Sequence, residues 1–100
     1  MSINSSVNGN TITISINGRF DFSSHKEFRE AYRNLPEGSS HEFIVDMSAT
    51  DYLDSSALGM MLLLREHGGS EQANISIKNC SSEVKEILLV SNFDKLFKIS

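Results

Sequence analysis

The feature that most constrains the fold is the change of pattern across Asp54-Ser55-Ser56-Ala57-Leu58-Gly59. Before it, Phe43 to Met47 reads as a buried strand. After it, Ala57 to Leu64 is apolar with Gly59 inside the run, which suits a buried helix. A strand that passes into a helix implies a sheet with helices packed on it, and it puts two adjacent hydroxyls, Ser55 and Ser56, at the helix start. This turn is the first candidate for a functional site.

The flanking sequence fills in the architecture. Asn8-Gly9-Asn10 is a turn signal between Ile3 to Val7 and the alternating run Thr11-Ile12-Thr13-Ile14-Ser15-Ile16, which predicts a β-hairpin with Ile12, Ile14 and Ile16 on its buried face. Gly18 is expected to end the second strand. Ser24-His25-Lys26-Glu27 has the form of a capping box, and Phe28, Ala31, Tyr32 and Leu35 follow at the spacing of an amphipathic helix. Pro36-Glu37-Gly38-Ser39-Ser40 should close that helix in a surface loop.

Phe43-Ile44-Val45 is apolar without alternation, as in a central strand covered on both faces or nearly so. The second helix should run from about Ser55 to the glycines of His67-Gly68-Gly69. Ile75-Ser76-Ile77 predicts another strand. Ser81 or Ser82 then caps a third helix carrying Val84, Ile87 and Leu88, and Phe93, Leu96, Phe97 and Ile99 predict a short helical turn with an edge strand. The expected fold class is α/β, one domain over residues 1–100, with a mixed four- to five-stranded sheet (an N-terminal hairpin plus parallel strands) and three main helices.

On a helical wheel, Ala57, Leu58, Met61, Leu62 and Leu64 share one broad arc, the expected core face. Ser56, Gly59 and Leu63 lie on the other side. Arg65 projects toward the core arc, where its stem can lie on apolar surface while its head reaches water. Glycine inside a helix costs about 1 kcal/mol relative to alanine, so something should compensate for Gly59. Either it admits a neighbouring helix of the same fold and Leu63 is a stray surface residue, or Ser56, Gly59 and Leu63 form a surface that another protein approaches.

Several chemistries are disfavoured. Leu53-Asp54-Ser55-Ser56-Ala57 is not the Gly-x-Ser-x-Gly of a serine hydrolase, and His25, His41 and His67 are spaced without pattern, so no enzyme activity is expected. Nucleotide-binding glycine loops and paired metal-ligand spacings are missing, so no cofactor or metal is expected. Cys80 is the single cysteine and reads as a small structural residue. Nine basic against thirteen acidic side chains give a net charge of −4 without a basic stripe, which argues against nucleic acid as a partner. The longest apolar run is far short of the roughly 20 residues that span a bilayer, and Met1 to Ser6 lacks the character of a secretory signal, so a cytoplasmic protein without membrane insertion is expected.

A different use of the Ser-Ser turn is switching. Ser55 is expected to cap the helix with its hydroxyl, leaving that of Ser56, one position inside, free for modification. A phosphate there would meet unpaired N–H groups and the positive end of the helix dipole, so the fold should tolerate it. A partner pressed on the same surface would not.

Phe43-Ile44-Val45-Asp46-Met47-Ser48 followed by Tyr52-Leu53-Asp54-Ser55-Ser56-Ala57-Leu58-Gly59 closely resembles the anti-sigma factor antagonists of the STAS domain family. Gly18-Arg19-Phe20-Asp21 and Ser91-Asn92-Phe93-Asp94-Lys95-Leu96-Phe97-Lys98-Ile99 match the family's other recurring stretches in order and spacing. Ala57 stands where many members have glycine, which keeps the side chain small. The resemblance covers nearly the whole chain and implies a bacterial partner-switching protein. It implies that the unphosphorylated form binds an anti-sigma factor, often itself a serine kinase of the histidine-kinase-like fold, and releases it when Ser56 is phosphorylated, thereby regulating transcription. It further implies that a PP2C-type phosphatase reverses the modification, and that Asp21 lies near the acceptor. The partner surface expected on these grounds is Asp21, Asp54, Ser55, Ser56, Gly59 and Leu63, on a protein monomeric when free. The alternative is a constitutive subunit of a larger assembly, such as a lipid transporter or a stress-sensing complex.

Overall fold

In the computed structural model, which describes residues 2–33 and 41–100, the N-terminal hairpin forms around a Gly9-Asn10 turn in which Gly9 adopts a positive φ of 63°. Strand β1 (Ser2–Asn8) pairs antiparallel with β2 (Thr11–Phe20), from Ser2 opposite Asn17 to Asn8 opposite Thr11. Beyond the hairpin every pairing is parallel. Strand β3 (Glu42–Asp46) lies beside β2, β5 (Asn74–Lys78) beside β3, and β6 (Lys98–Ile99) beside β5, giving the order β1-β2-β3-β5-β6. Parallel neighbours need crossovers, and helices α1 (His25–Glu30), α2 (Ser55–His67) and α3 (Ser82–Val90) supply them.

A sixth strand, β4 (Thr50–Leu53), was not foreseen. It pairs with the end of β2 because Gly18 does not end that strand as expected. At φ 86°, Gly18 shifts the register and donates its N–H to the Ala49 carbonyl at 2.8 Å, after which Arg19 and Phe20 pair with Tyr52 and Leu53. The buried Thr50 hydroxyl fixes the junction by donating to the Ile16 carbonyl at 2.8 Å.

Burial alternates along β2 up to Asn17 and along β3. Ile12, Ile14 and Ile16 of β2 and Phe43 and Val45 of β3 join Ile75 and Ile77 in one core, closed by Phe28 and Tyr32, by Ala57, Met60, Met61 and Leu64 of α2, and by Val84 and Leu88 of α3. Ile44, expected to be buried with its neighbours, is only half-buried between Thr13 and Ser76, because the helices close one face of the sheet and leave the other to small polar side chains. The C-terminal segment follows expectation: a 3-10 turn at Phe93–Lys95, with Phe93 and Phe97 buried, leads into β6 at the edge. Of the expected first helix, His25 to Glu30 is helical and turns carry the chain to Arg33. Leu35 and the loop Pro36 to Ser40 lie outside the described residues.

Candidate functional site

The site is built where two parallel strands stop side by side. Phe20 of β2 is opposite Leu53 of β4, so the next residues, Asp21 and Asp54, leave the sheet together at its carboxyl end. Each is extended (φ −136°, ψ −167° and φ −124°, ψ −174°), and each caps a helical start.

Asp21 caps the 3-10 turn Phe22–Ser24. Its Oδ1 accepts from the Ser23 N–H at 3.0 Å and from the Ser23 hydroxyl, while its own N–H donates to Ser24 Oγ at 3.1 Å. The capping box therefore runs from Asp21 to Ser24, not from Ser24 to Glu27. Buried Ser24 serves the turn before it and donates to the Arg19 carbonyl at 3.3 Å, and Glu27 instead accepts from the Ile3 N–H at 3.3 Å, tying α1 to the edge strand. Asp54 caps α2, its Oδ1 accepting from the Ala57 N–H at 3.0 Å. This overturns the capping role expected of Ser55: the carboxylate one residue earlier already occupies the third N–H of the helix, and Ser55 is an exposed first-turn residue. Ser56 follows it, half-buried, and among the described residues neither hydroxyl has a hydrogen-bond partner.

The charges around the turn are organised by Asp21. The Arg19 guanidinium lies 3.4 Å from Asp21 Oδ2 and 3.9 Å above the Tyr52 ring. The Ser23 hydroxyl, then the Ser23 N–H and Arg19, hold the Asp21 carboxyl below its ordinary value of 3.8, against an opposing effect of desolvation.

Along α2 the core stripe is Ala57, Met60, Met61 and Leu64, at i, i+3, i+4 and i+7. Leu62, expected in the core, is 40% exposed, and Leu58 is only partly buried against the core. The wheel groups Leu62 with the core because it counts apolar residues, whereas the sheet is met by the stripe that includes Met60. Leu63 is exposed, at 48%, as expected. The Arg65 Nε is buried without a hydrogen-bond partner among the described residues, so its stem packs inward as the wheel implied.

Gly59 is exposed, and a Cβ built on it would meet no described atom within 4 Å. The reading in which it admits a neighbouring helix of the same fold is thereby removed. The α2 face thus presents Ser56, a bare turn at Gly59, and the apolar Leu62 and Leu63. The 3-10 turn that Asp21 caps contacts α2, and its Phe22 is 75% exposed and stacked on the His25 ring at 6.4 Å. Leu63 also borders a groove of about 320 Å³ between α1 and α2, floored by Phe28, Tyr32 and Met60.

Phe22 is not marked by any sequence pattern, and Arg19 and Tyr52 stand within the family-like stretches without a role assigned to them. Their signal was the position of Arg19 and Phe22 around the Phe20-Asp21 pair, but only the pairing of β2 with β4 brings Tyr52 to them. Among the described residues no group of three His, Cys, Asp or Glu side chains is arranged to hold a metal, and no helix is long and apolar enough to cross a membrane.

Comparison with known proteins adds a second line. A family model described as "Mlab, STAS domain" matches residues 3–98. A STAS-domain containing protein of Pseudomonas aeruginosa (strain UCBPP-PA14) is 54% identical over 95 residues, covering 95% of this chain and 93% of that protein. Among solved structures, an anti-sigma factor antagonist from Mycobacterium paratuberculosis superposes with a TM-score of 0.78 at 15% identity, covering 98% of this chain and 83% of the other. The antagonist SpoIIAA in its unphosphorylated form gives 0.71 at 15% identity, with 99% and 87% covered. A sulfate transporter family protein from Wolinella succinogenes gives 0.69 at 16% identity, with 90% and 73% covered.

Proposed function

The chain belongs to the STAS domain family, and we propose that within it this protein is an anti-sigma factor antagonist working by partner switching in the cytoplasm. Unphosphorylated, it binds an anti-sigma factor that is also a serine kinase of the histidine-kinase-like fold. The kinase transfers the γ-phosphoryl group of ATP to Ser56 Oγ, with loss of the hydroxyl proton, and the complex separates. A PP2C-type phosphatase hydrolyses the phosphoester and restores the binding form.

The observation that carries this reading is the state of Ser56. Asp54 has taken over the capping duty, so the Ser56 hydroxyl is left without a partner among the described residues, at the edge of a surface formed by Gly59, Leu62 and Leu63. The N–H groups of Ser55 and Ser56 have no acceptor within the helix, and with the helix dipole they favour a phosphate by about 0.3–1 kcal/mol, so the modified domain stays folded. A docked partner has to accommodate up to two added negative charges beside the Asp21 and Asp54 carboxylates, and a penalty of about 3 kcal/mol weakens binding roughly a hundredfold.

Baits carrying Ser56→Ala and Ser56→Asp, exposed to lysate of the native host and read by mass spectrometry, test this. The alanine bait is expected to retain an ATPase-fold serine kinase that the aspartate bait loses. Equal retention on both baits would refute it.

The second reading, a constitutive subunit of a larger assembly, draws on the likeness to the sulfate transporter family protein. It requires Ser56 to be unphosphorylated in cells and the partner to be bound permanently, and phosphopeptide mapping of the native protein separates the two.

A further inference from the structure

Apart from Val7 on the edge strand β1, the exposed large apolar side chains among the described residues fall in two places. One is the surface around Ser56, with Phe22, Tyr52, Leu62 and Leu63. The other is the end of α3 and the 3-10 turn beyond it, with Ile87, Leu89, Val90 and Leu96. The second has no part in the proposed Ser56 switch.

On α3, Val84 and Leu88 are buried, and Glu83, Glu86, Ile87 and Val90 fall at i, i+3, i+4 and i+7 on a different stripe. That stripe lines a shallow trough of about 420 Å³ closed by Ser91, whose hydroxyl donates to the Ile87 carbonyl at 2.9 Å and seals the last turn. Val90 is 77% exposed. The lining holds two carboxylates and no cation, and Lys85, the one cation of α3, lies near the Cys80 thiol instead. The carbonyl end of the helix adds negative potential at the apolar end of the same stripe.

We propose that this stripe of α3 is a second docking surface, and that its occupant is a basic amphipathic helix of a partner protein. Ile87 and Val90 take the apolar residues of that helix, and Glu83, Glu86 and the end of α3 take its lysines or arginines. The carboxylates repel an anionic bilayer, which sets a protein helix above a lipid surface. Although α3 also contacts β4, which leads into the Ser56 turn, the stripe itself lies on a different element from Ser56, so on this proposal one partner can stay attached while another is released.

The test uses the full-length protein and three probes: a synthetic Lys/Leu amphipathic helical peptide, a Glu/Leu peptide of the same pattern, and phosphatidylglycerol vesicles. The Lys/Leu peptide is expected to bind and to shift backbone NMR signals of residues 83–91. Val90→Ser and Glu86→Lys are each expected to weaken it about tenfold, Glu83→Gln to weaken it in the same direction, and Ser56→Asp to leave it unchanged. All three α3 sites are exposed, and a thermal midpoint confirms that the variants fold. Shifts centred on α2 or the sheet, equal binding of the Glu/Leu peptide, unaltered affinity in all three α3 variants, loss of binding in Ser56→Asp, or capture of the protein by the vesicles would each overturn the proposal.

Discussion

Asp54, not Ser55, supplies the oxygen that closes the first turn of α2, and both hydroxyls of the Ser-Ser pair are left without a hydrogen-bond partner among the described residues. Removing a side-chain cap costs about 1 kcal/mol, within a range of roughly 0.5–2. Asp54→Ala is therefore expected to lower unfolding free energy by that amount in chemical denaturation, and Ser55→Ala to change it by less than about 0.5 kcal/mol. At the end of β3, the Ser48 N–H at 3.0 Å and then the Asn79 amide at 3.2 Å hold the Asp46 carboxyl below its ordinary 3.8. A depressed folded value means that the contribution is complete above 3.8 and is lost as pH falls through the lower folded value. Asp46→Asn is expected to be less stable than the parent at neutral pH but to lose less on acidification to about pH 3, as measured by denaturant midpoints.

At the scale of elements, α2 serves two surfaces. Its inward stripe is structural: Met60→Ala should cost about 2–5 kcal/mol, whereas Leu62→Ser should stay within about 0.5 kcal/mol, although the wheel places Leu62 on the core arc. Its outward stripe is the proposed partner surface, so Leu63→Glu is expected to weaken partner affinity while changing thermal stability by less than about 1 kcal/mol. The hairpin, the three helices and the terminal edge strand were legible in the sequence because each repeats a period or carries a turn residue. Strand β4 was not, since Thr50 and Leu53 are buried and Asp51 and Tyr52 exposed, a four-residue pattern without alternation that becomes a strand only by pairing beyond Gly18. The caps failed for a related reason. Ser24 and Ser55 are good capping residues by type, but the Ser24 hydroxyl is engaged by the Asp21 N–H and the Arg19 carbonyl, and Asp54, extended and one residue upstream of Ser55, reaches the Ala57 N–H first.

For the whole molecule, the decisive construction is the pairing of β2 with β4, which joins residues 19–22 to residues 52–63 at the carboxyl ends of the strands. Periodicity marked Ser56, Gly59 and Leu63, but Asp21 entered only through the family resemblance, because nothing local relates it to a turn more than thirty residues away. The sheet offers the opposite face as a polar surface, so the apolar surface available to partners is confined to the helical side and its ends. The most direct measurement is the affinity of the proposed serine-kinase anti-sigma partner, once isolated, for the protein with serine and with phosphoserine at position 56, determined by calorimetry on the same preparation. The unmodified protein is expected to bind at least about a hundredfold more tightly, a difference of about 3 kcal/mol. Equal affinities for the two forms would contradict a switch at Ser56.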